Sequence, residues 1–232
     1  MTHDELASLL NQILDDHKSD KDAGYHSVAA ISDLYRRLTE KDQVQIRDYL
    51  LEKVEHEDPE LRGVGLEVLT RHSNPEIAQR LEKLARSTQV LTFKQQLIRA
   101  LLRMGHEALD IYLPHIQSLI AHNQPVCAEL AHLYRVSPAS SLNMSAGFFA
   151  NELSTADGIR RTENCIPVFV HNYPQNDESS LTRLVSETRK LNPTAAAQLR
   201  KIILNYLDKP WVVEDLGPEK RNRVFALLSN DT

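Results

Sequence analysis

The chain has 232 residues, of which 41% are hydrophobic and 25% are charged, so it is long enough for one sizeable core or two small ones. Only 7 glycines and 10 prolines occur, which excludes collagen-like and low-complexity chains and disfavours a fold built from many tight β-turns. The net charge of −5 disfavours a nucleic-acid-binding protein, because such proteins neutralise phosphates with Lys and Arg.

The acidic residues are concentrated near the start of the sequence. Residues 1–60 carry 15 acidic and 7 basic side chains, whereas residues 61–232 carry 17 acidic and 20 basic ones. This asymmetry predicts that a basic protein partner contacts the acidic N-terminal third. The alternative is a well-solvated pair of terminal helices with no partner.

The first residues and the two cysteines bear on location. The start, "MTHDELASLL", lacks a basic segment followed by a long apolar one, so no secretory signal is predicted, and no run of about 18 apolar residues is present to span a membrane. Cys127 and Cys165 have neither CxxC nor zinc-site spacing, so a disulfide scaffold and a cysteine metal site are not expected. Cys127 is interpreted as a small core residue. Together these features predict a protein of a reducing compartment, the cytoplasm.

Apolar residues recur at helical spacing along most of the chain. The segments "DELASLLNQIL", "EIAQRLEKLA" and "LDIYLPHIQSLI" each carry one apolar stripe with this spacing. Sustained alternation of polar and apolar residues does not occur, and Asp-Pro, Asn-Pro and Ser-Pro pairs separate the helical segments. The sequence therefore predicts an all-α fold.

Four tetrads, "DLYR", "VLTR", "ALLR" and "HLYR", repeat a Leu-x-Arg pattern at nearly even intervals. Their leucines are separated by 35, 32 and 32 residues, and the register continues downstream as "VFVH" and "ILNY". The residues concerned are Leu34, Leu69, Leu101 and Leu133, followed by Arg36, Arg71, Arg103 and Arg135. A two-helix repeat of this length is typical of an α-solenoid, in which neighbouring repeats stack into a continuous core.

The register predicts about six repeats in a single domain that spans residues 1–232. The repeats are clearest over residues 58–153 and divergent at the two ends, residues 1–57 and 154–232.

The clearest unit, "DPELRGVGLEVLTRHSNPEIAQRLEKLARS", resembles a HEAT-like repeat of the short type. Asp58-Pro59 opens its first helix, Arg62 lies in the first turn, and "GLEVL" forms the core strip. Asn74-Pro75 then opens the second helix. The resemblance implies a right-handed α-α superhelix of HEAT-like repeats. It implies no chemistry, because solenoids of this type serve many unrelated functions.

Two glycines in this unit depart from the HEAT-like pattern. Gly63 and Gly65 stand where helix-forming residues are expected, and each costs about 1 kcal/mol relative to Ala. We interpret both as points of close approach between stacked helices.

The arginine series has two interpretations. Each arginine lies near the predicted end of a helix, where a cation stabilises the helix dipole and the last carbonyls by about 0.3–1 kcal/mol. Alternatively, equivalent positions on stacked repeats form a column of guanidiniums that binds carboxylates or phosphates of a partner. Tyr35 and Tyr134 precede two of the arginines, and Tyr with Arg is typical of interface hot spots.

The single tryptophan, Trp211, follows a proline in a predicted loop. It either covers the C-terminal end of the core or anchors a partner. The candidate partner-binding residues are therefore Arg36, Arg71, Arg103, Arg135, Tyr35, Tyr134 and Trp211.

Catalytic patterns are absent from the sequence. HExxH, GxGxxG, GxxxxGK[ST] and GxSxG do not occur, and His115 and His122 share a spacing of seven without a carboxylate. The histidines are expected to be exposed to solvent. No catalytic residue, metal site or cofactor is predicted.

The favoured function is non-enzymatic binding of a protein partner in the cytoplasm, as an adaptor, an assembly factor, or an inhibitor or immunity-type protein, without contact to a membrane or nucleic acid. One alternative is a HEAT-like nucleic-acid-binding protein or DNA glycosylase for alkylated bases, which the arginine series would serve. Another is a lyase or chaperone for a chromophore or cofactor, which would need a pocket with polar groups and a reactive cysteine.

Overall fold

The structure, a computed structural model, describes residues 3–16, 23–55 and 59–230. These residues form fourteen α-helices, and no strand occurs among them. The predicted all-α class is therefore confirmed. The chain divides into two compact units, Met1–Ala108 and Leu109–Thr232, which are described separately as the first and the second unit.

The described residues of the first unit form six helices stacked as pairs. They are α1 (His3–Asp16), α2 (Ala23–Arg37), α3 (Glu40–Val54), α4 (Pro59–Arg71), α5 (Pro75–Ser87) and α6 (Leu91–Met104). Helix α4 packs against both α2 and α6, so these three form a row, while α3 packs on α4 and α5 packs on α6. Leu69 and Leu101 of the repeat register are buried in this row. The helical period of the sequence thus places one apolar face of each helix in a shared core.

The proline-marked helix starts lie where the sequence places them. Helices α4 and α5 begin at Pro59 and Pro75. The side chain of Asn74 accepts a hydrogen bond from the backbone N–H of Ile77 at 2.9 Å and so caps α5. Asp58, the predicted cap of α4, lies outside the described residues.

The two glycines of the clearest repeat differ in their surroundings. A Cβ atom on Gly65 would lie 3.2 Å from the carbonyl oxygen of Leu50 and 3.2 Å from the side chain of Val54. Gly65 therefore marks the predicted close approach of α3 and α4. The same prediction is wrong for Gly63, because it lies on the exposed side of α4 and a Cβ there would meet no atom within 4 Å.

Residues 109–230 of the second unit form eight helices. They are α7 (Leu109–Ala121), α8 (Cys127–Leu133), α9 (Pro138–Glu152), α10 (Ala156–Asn176), α11 (Ser180–Leu191), α12 (Pro193–Leu207), α13 (Pro210–Leu216) and α14 (Pro218–Asn230). Helices α8, α10, α12 and α14 pack in succession, and α9 packs on α11 beside them. As in the row of α2, α4 and α6, every other helix along the chain thus packs side by side with the next one.

The extended register predicts spatial neighbours in the second unit. His171 on α10 and Tyr206 on α12 occupy the last positions of "VFVH" and "ILNY", and the His171 Nε2 and Tyr206 hydroxyl oxygen are hydrogen-bonded at 3.1 Å. These two residues, 35 positions apart in the register, therefore stand opposite each other on adjacent helices.

An aromatic cluster fills the core between α9 and α10. Phe169 makes edge contacts with Phe149 and Tyr173, with ring centroids 5.1 Å apart in each pair. The Tyr173 hydroxyl is hydrogen-bonded to Ser141 at 2.7 Å and to Ser145 at 3.1 Å, and burial raises its pKa. These contacts fix α9 against α10, the two helices that carry half of the residues of the site described next.

Candidate functional site

A cavity of about 410 Å³ opens in the second unit. Its wall is formed by the end of α7, the loop of residues 122–126, the start of α8, the last turns of α9 and the first half of α10. Ligand sites in proteins are commonly concave, largely apolar and roughly 300–1,000 Å³. The cavity therefore has room for a small molecule or a short peptide segment.

The apolar part of the wall comes from four side chains on three elements. They are Ile120, Pro125, Val126 and Phe148. Val126 is buried, whereas Phe148 is half-buried and presents part of its ring to the cavity. Burying an apolar ligand group against such a surface is favourable by about 25 cal/mol per Å².

Four carboxamide side chains supply most of the polar part of the wall: Asn123, Gln124, Asn151 and Asn164. Each carboxamide carries an acceptor oxygen and an NH₂ donor, which match the N–H and C=O of a peptide bond. Among the described residues, the side-chain amides of Asn151 and Asn164 hold no hydrogen bond. These two groups are therefore available to a ligand.

One ion pair lies at the same wall. Arg161 on α10 donates from Nε to the Glu152 carboxylate on α9 at 2.6 Å. Glu152 is the less exposed partner, with 14% of its side chain exposed against 57% for Arg161. The Nε bond leaves the two terminal nitrogens of Arg161 without a hydrogen bond to the described residues, so they can bind an anionic group.

The loop before α8 holds a defined conformation. Asn123 has a φ of 51°, a left-handed conformation that Asn tolerates better than most residues. The backbone N–H of Gln124 donates to the carbonyl of Leu119 at 2.9 Å, which ties the loop to the end of α7. Pro125 and Val126 follow directly and lead into α8, so this loop fixes one side of the cavity.

A glycine allows α9 and α10 to meet at the cavity. A Cβ atom on Gly158 would lie only 1.8 Å from the Glu152 carbonyl oxygen, a distance that no side chain can occupy. The Thr155 hydroxyl caps α10 by accepting from the backbone N–H of Gly158 at 3.1 Å. The tight turn this creates brings Glu152 and Arg161 together.

The two cysteines form a disulfide in the cavity wall, contrary to the sequence prediction. Cys127 begins α8 and Cys165 lies in α10, with their Cα atoms 5.4 Å apart, within the usual range for a disulfide. Cys127 is therefore not simply a small core residue. Disulfides are typical of oxidising compartments, so the inference from the cysteines to a reducing compartment loses its basis. The cytoplasmic location stays a prediction.

Three members of the arginine series lie in the first unit, in the last turns of α2, α4 and α6 as predicted. Arg36 donates to Asp33 on its own helix at 2.8 Å. Arg71 and Arg103 both donate to Glu67, and the hydrogen bonds from Arg103 hold the pKa of that carboxyl below its usual value. Each of the three guanidiniums is thus engaged by a carboxylate of the chain itself.

The fourth member, Arg135, lies in the second unit. It lies in the turn that follows α8, two residues beyond the end of that helix, and it is exposed. Its capacity to bind a partner stays a prediction.

The two tyrosines proposed for a partner surface lie in the interior. Tyr35 is 8% exposed and stacks on His72 with ring centroids 4.2 Å apart. Tyr134 is 2% exposed, packs on Tyr173 and donates to Asp177 at 3.3 Å. Their rings pack within the two units, so neither supports a partner surface.

Trp211 lies in a short helix, α13, and the predicted loop is wrong. The residue is 53% exposed, which contradicts the interpretation that it covers the core. The Lys209 ammonium stands 5.3 Å from the Trp211 ring centroid. The remaining interpretation, an exposed anchor for a partner, stays a prediction.

Sequence reasoning missed the residues that build the cavity. Asn151, Asn164 and Phe148 belong to no motif, since carboxamides and a phenylalanine on helices carry no spacing signal. The two cysteines did carry a spacing signal, because their separation of 38 residues is close to the repeat length. His115 was also misjudged, since it is 6% exposed rather than open to solvent.

Comparisons with protein-family models, curated proteins and solved structures found no match for this chain. Over the described residues, no helix combines the length and apolar character needed to cross a membrane. Within the same ranges, no group of three or more His, Cys, Asp or Glu side chains is placed to hold a metal ion.

Proposed function

We propose that this chain is a HEAT-like α-solenoid that binds a protein partner without catalysis, and that the cavity accepts an extended peptide segment of that partner. The stacking of helix pairs within each unit supports the repeat architecture. The observation that carries the binding site is the set of carboxamides around an apolar cavity of about 410 Å³.

The chemistry of the cavity favours a peptide over a purely apolar ligand. Asn151 and Asn164 offer donors and acceptors that match the peptide backbone, while Phe148 offers a surface for one apolar side chain. The terminal nitrogens of Arg161 add a site for a carboxylate, either a side chain or a chain end. A ligand that lacked polar groups would cover these amides without bonding to them, which would weaken binding by about 1–3 kcal/mol for each group.

The arginine series is a weaker candidate for the docking surface. Arg103 bonds to Glu67 through both terminal nitrogens, so a partner would have to displace that carboxylate. Arg36 and Arg71 each pair with one carboxylate of the chain, which partly neutralises the charge they would offer to a partner. The acidic N-terminal third remains a separate candidate surface for a basic partner, and part of it lies outside the described residues.

The test is selection from a displayed library of random linear peptides against the purified protein. We expect enriched peptides that bind the wild type and bind at least about tenfold more weakly after Asn151→Ala combined with Asn164→Ala, which corresponds to about 1.4 kcal/mol. Asn205→Ala, an exposed asparagine on α12 outside the cavity wall, is the matched control and should leave affinity unchanged. Failure to enrich any peptide, or equal binding by all variants, would overturn the proposal.

A second candidate function is supported by the same cavity. A lyase or chaperone for a chromophore or cofactor requires a pocket with polar groups and a reactive cysteine. This cavity contains the polar groups, and its two cysteines would supply a reactive thiol only after reduction of the disulfide that joins them. An absorbance spectrum of the protein purified from its source distinguishes the two. A visible absorption band that is lost after Asn151→Ala with Asn164→Ala favours the cofactor, and a colourless protein that binds selected peptides favours the partner segment.

A further inference from the structure

The two cysteines of the disulfide in the cavity wall differ in exposure. Cys165 is 4% exposed within α10, whereas Cys127, the first residue of α8, is partly exposed. Both residues belong to the wall of the cavity. The difference in residue exposure therefore favours attack at Cys127, with Cys165 as the leaving group.

Burial of Cys165 disfavours a thiolate, and Arg161 is the cation in the cavity wall that can offset this cost. Arg161 precedes Cys165 by four residues on α10, a spacing that places both side chains on one face of the helix, and both line the cavity. A nearby guanidinium lowers the cost of a thiolate, and a better leaving thiolate speeds disulfide exchange. Glu152 engages only Nε of this guanidinium, at 2.6 Å, and leaves its terminal nitrogens for a further anion.

We infer that the cavity is a site of thiol–disulfide exchange with a cysteine-containing peptide. In the exchange step, the peptide thiolate attacks Sγ of Cys127, the Cys127–Cys165 bond breaks, and its electron pair leaves on Sγ of Cys165. The products are a mixed disulfide between the peptide and Cys127 and a thiolate on Cys165. Return attack by Cys165 on Cys127 expels the peptide thiolate and restores the disulfide, so no external oxidant or reductant is needed.

The carboxamides define the class of thiol. Asn151 and Asn164 match peptide bonds, and Arg161 matches a carboxylate, so a peptide thiol is favoured over a simple alkyl thiol. This assignment of the ligand rests on the proposed function, because the same groups are proposed to hold a partner segment. The peptide thiol could be a free small peptide or a cysteine within the partner's segment, and the experiment separates these sources.

The first test uses the wild-type, oxidised protein. It is mixed with reduced glutathione, quenched with acid and examined by intact mass and peptide mapping. We expect one glutathione per chain, attached to Cys127, with Cys165 as the free thiol. The rate should exceed that for 2-mercaptoethanol at equal thiolate concentration by about tenfold, the equivalent of one good recognition contact. An adduct on Cys165, no adduct, or equal rates for the two thiols would overturn the inference.

A matched pair of variants tests the role of Arg161. Arg161→Gln should slow formation of the Cys127 adduct severalfold, whereas Arg160→Gln, its exposed neighbour outside the cavity wall, should leave the rate unchanged. Circular dichroism verifies that both variants are folded. Equal rates for the two variants would contradict the role of the guanidinium. If Arg161→Gln does not fold, Asn164→Ala replaces it, and slower reaction with glutathione but not with 2-mercaptoethanol is the expected result.

A cysteine peptide and its serine analogue separate the two sources and the two proposals. A selected peptide with cysteine that forms the adduct faster than glutathione identifies a partner segment as the thiol, and the reverse order identifies a free peptide thiol. Tight binding of the serine analogue without any adduct from the cysteine form would overturn the exchange and leave the proposed function standing. A glutathione adduct without any peptide binding would overturn the proposed function and support the exchange.

Discussion

Arg103 on α6 donates two hydrogen bonds to Glu67 on α4, at 2.5 and 3.1 Å, across a sequence separation of 36 residues. The same carboxylate accepts a hydrogen bond from Arg71 on its own helix at 3.1 Å. Two arginines of the repeat register therefore meet on one glutamate, and this contact joins adjacent helices of the row. Arg36, in contrast, bonds to a residue of its own helix.

This difference predicts unequal effects on stability. Arg103→Ala should lower the free energy of unfolding by about 1 kcal/mol, because the pair is bidentate but about a third exposed. Arg36→Ala should change it by less than about 0.5 kcal/mol, since its pair with Asp33 is open to solvent. Urea denaturation of both variants measures the two values. Equal losses would show that the contact between α4 and α6 adds nothing.

The pKa of Glu67 predicts how this contribution depends on pH. Hydrogen bonds from Arg103 hold the folded-state pKa below the ordinary value of 4.5, so the unfolded chain binds the proton more readily. The stabilisation is therefore fully present above pH 4.5 and is lost as the pH falls through the lower, folded-state pKa. The difference in unfolding free energy between wild type and Glu67→Gln should be constant near neutral pH and shrink on acidification. A difference that grows on acidification would contradict the assigned pairing.

Two glycines of the second unit give a matched pair of substitutions. Gly158→Ala places a methyl group 1.8 Å from the Glu152 carbonyl and should destabilise the protein by about 3 kcal/mol or more. Gly147→Ala, inside α9 with no atom within 4 Å of the new Cβ, should be neutral or stabilising by up to about 1 kcal/mol. Thermal denaturation of each variant provides the comparison. A mild effect of Gly158→Ala would mean that α9 and α10 do not meet as described.

The single tryptophan reports directly on the C-terminal part of the chain. Because Trp211 is 53% exposed, acrylamide should quench its fluorescence in the folded protein nearly as well as in the urea-unfolded chain. Trp211→Ala should lower the free energy of unfolding by less than about 1 kcal/mol, because an exposed contact with Lys209 contributes no more than that. A buried tryptophan would resist the quencher, and its replacement would lower the free energy of unfolding by about 3–5 kcal/mol. Those results would restore the interpretation that Trp211 covers the core.

The repeat register predicted the fold further than it predicted the site. The spacing of Leu69 and Leu101 placed both in one core row, and the pairing of His171 with Tyr206 follows from the same register. Such features are visible because apolar periodicity and helix-opening prolines act locally on the backbone. Trp211 was misplaced because a Pro-Trp pair fits a loop and the first turn of a helix equally well.

The cavity could not be predicted in the same way. Its wall collects residues from four helices and a loop, and Asn151 on α9 and Asn164 on α10 line the same cavity because the two helices meet at Gly158. The disulfide was missed because two cysteines without a motif give no pairing, although a separation of 38 residues is close to one repeat. Buried tyrosines such as Tyr134 were assigned to a surface because sequence position alone does not fix which face of a helix is covered.

NMR can locate a selected peptide on the protein and so decide between the cavity and the arginine series as the binding site. Backbone amide shifts of the isotope-labelled chain are recorded during titration with a peptide from the library. We expect the largest changes at Cys127, Phe148, Asn151 and Asn164, while the amides of Arg36, Arg71 and Arg103 stay unchanged. Shifts that cluster on the three arginines, with the cavity residues unmoved, would contradict this expectation and return the docking surface to the arginine series.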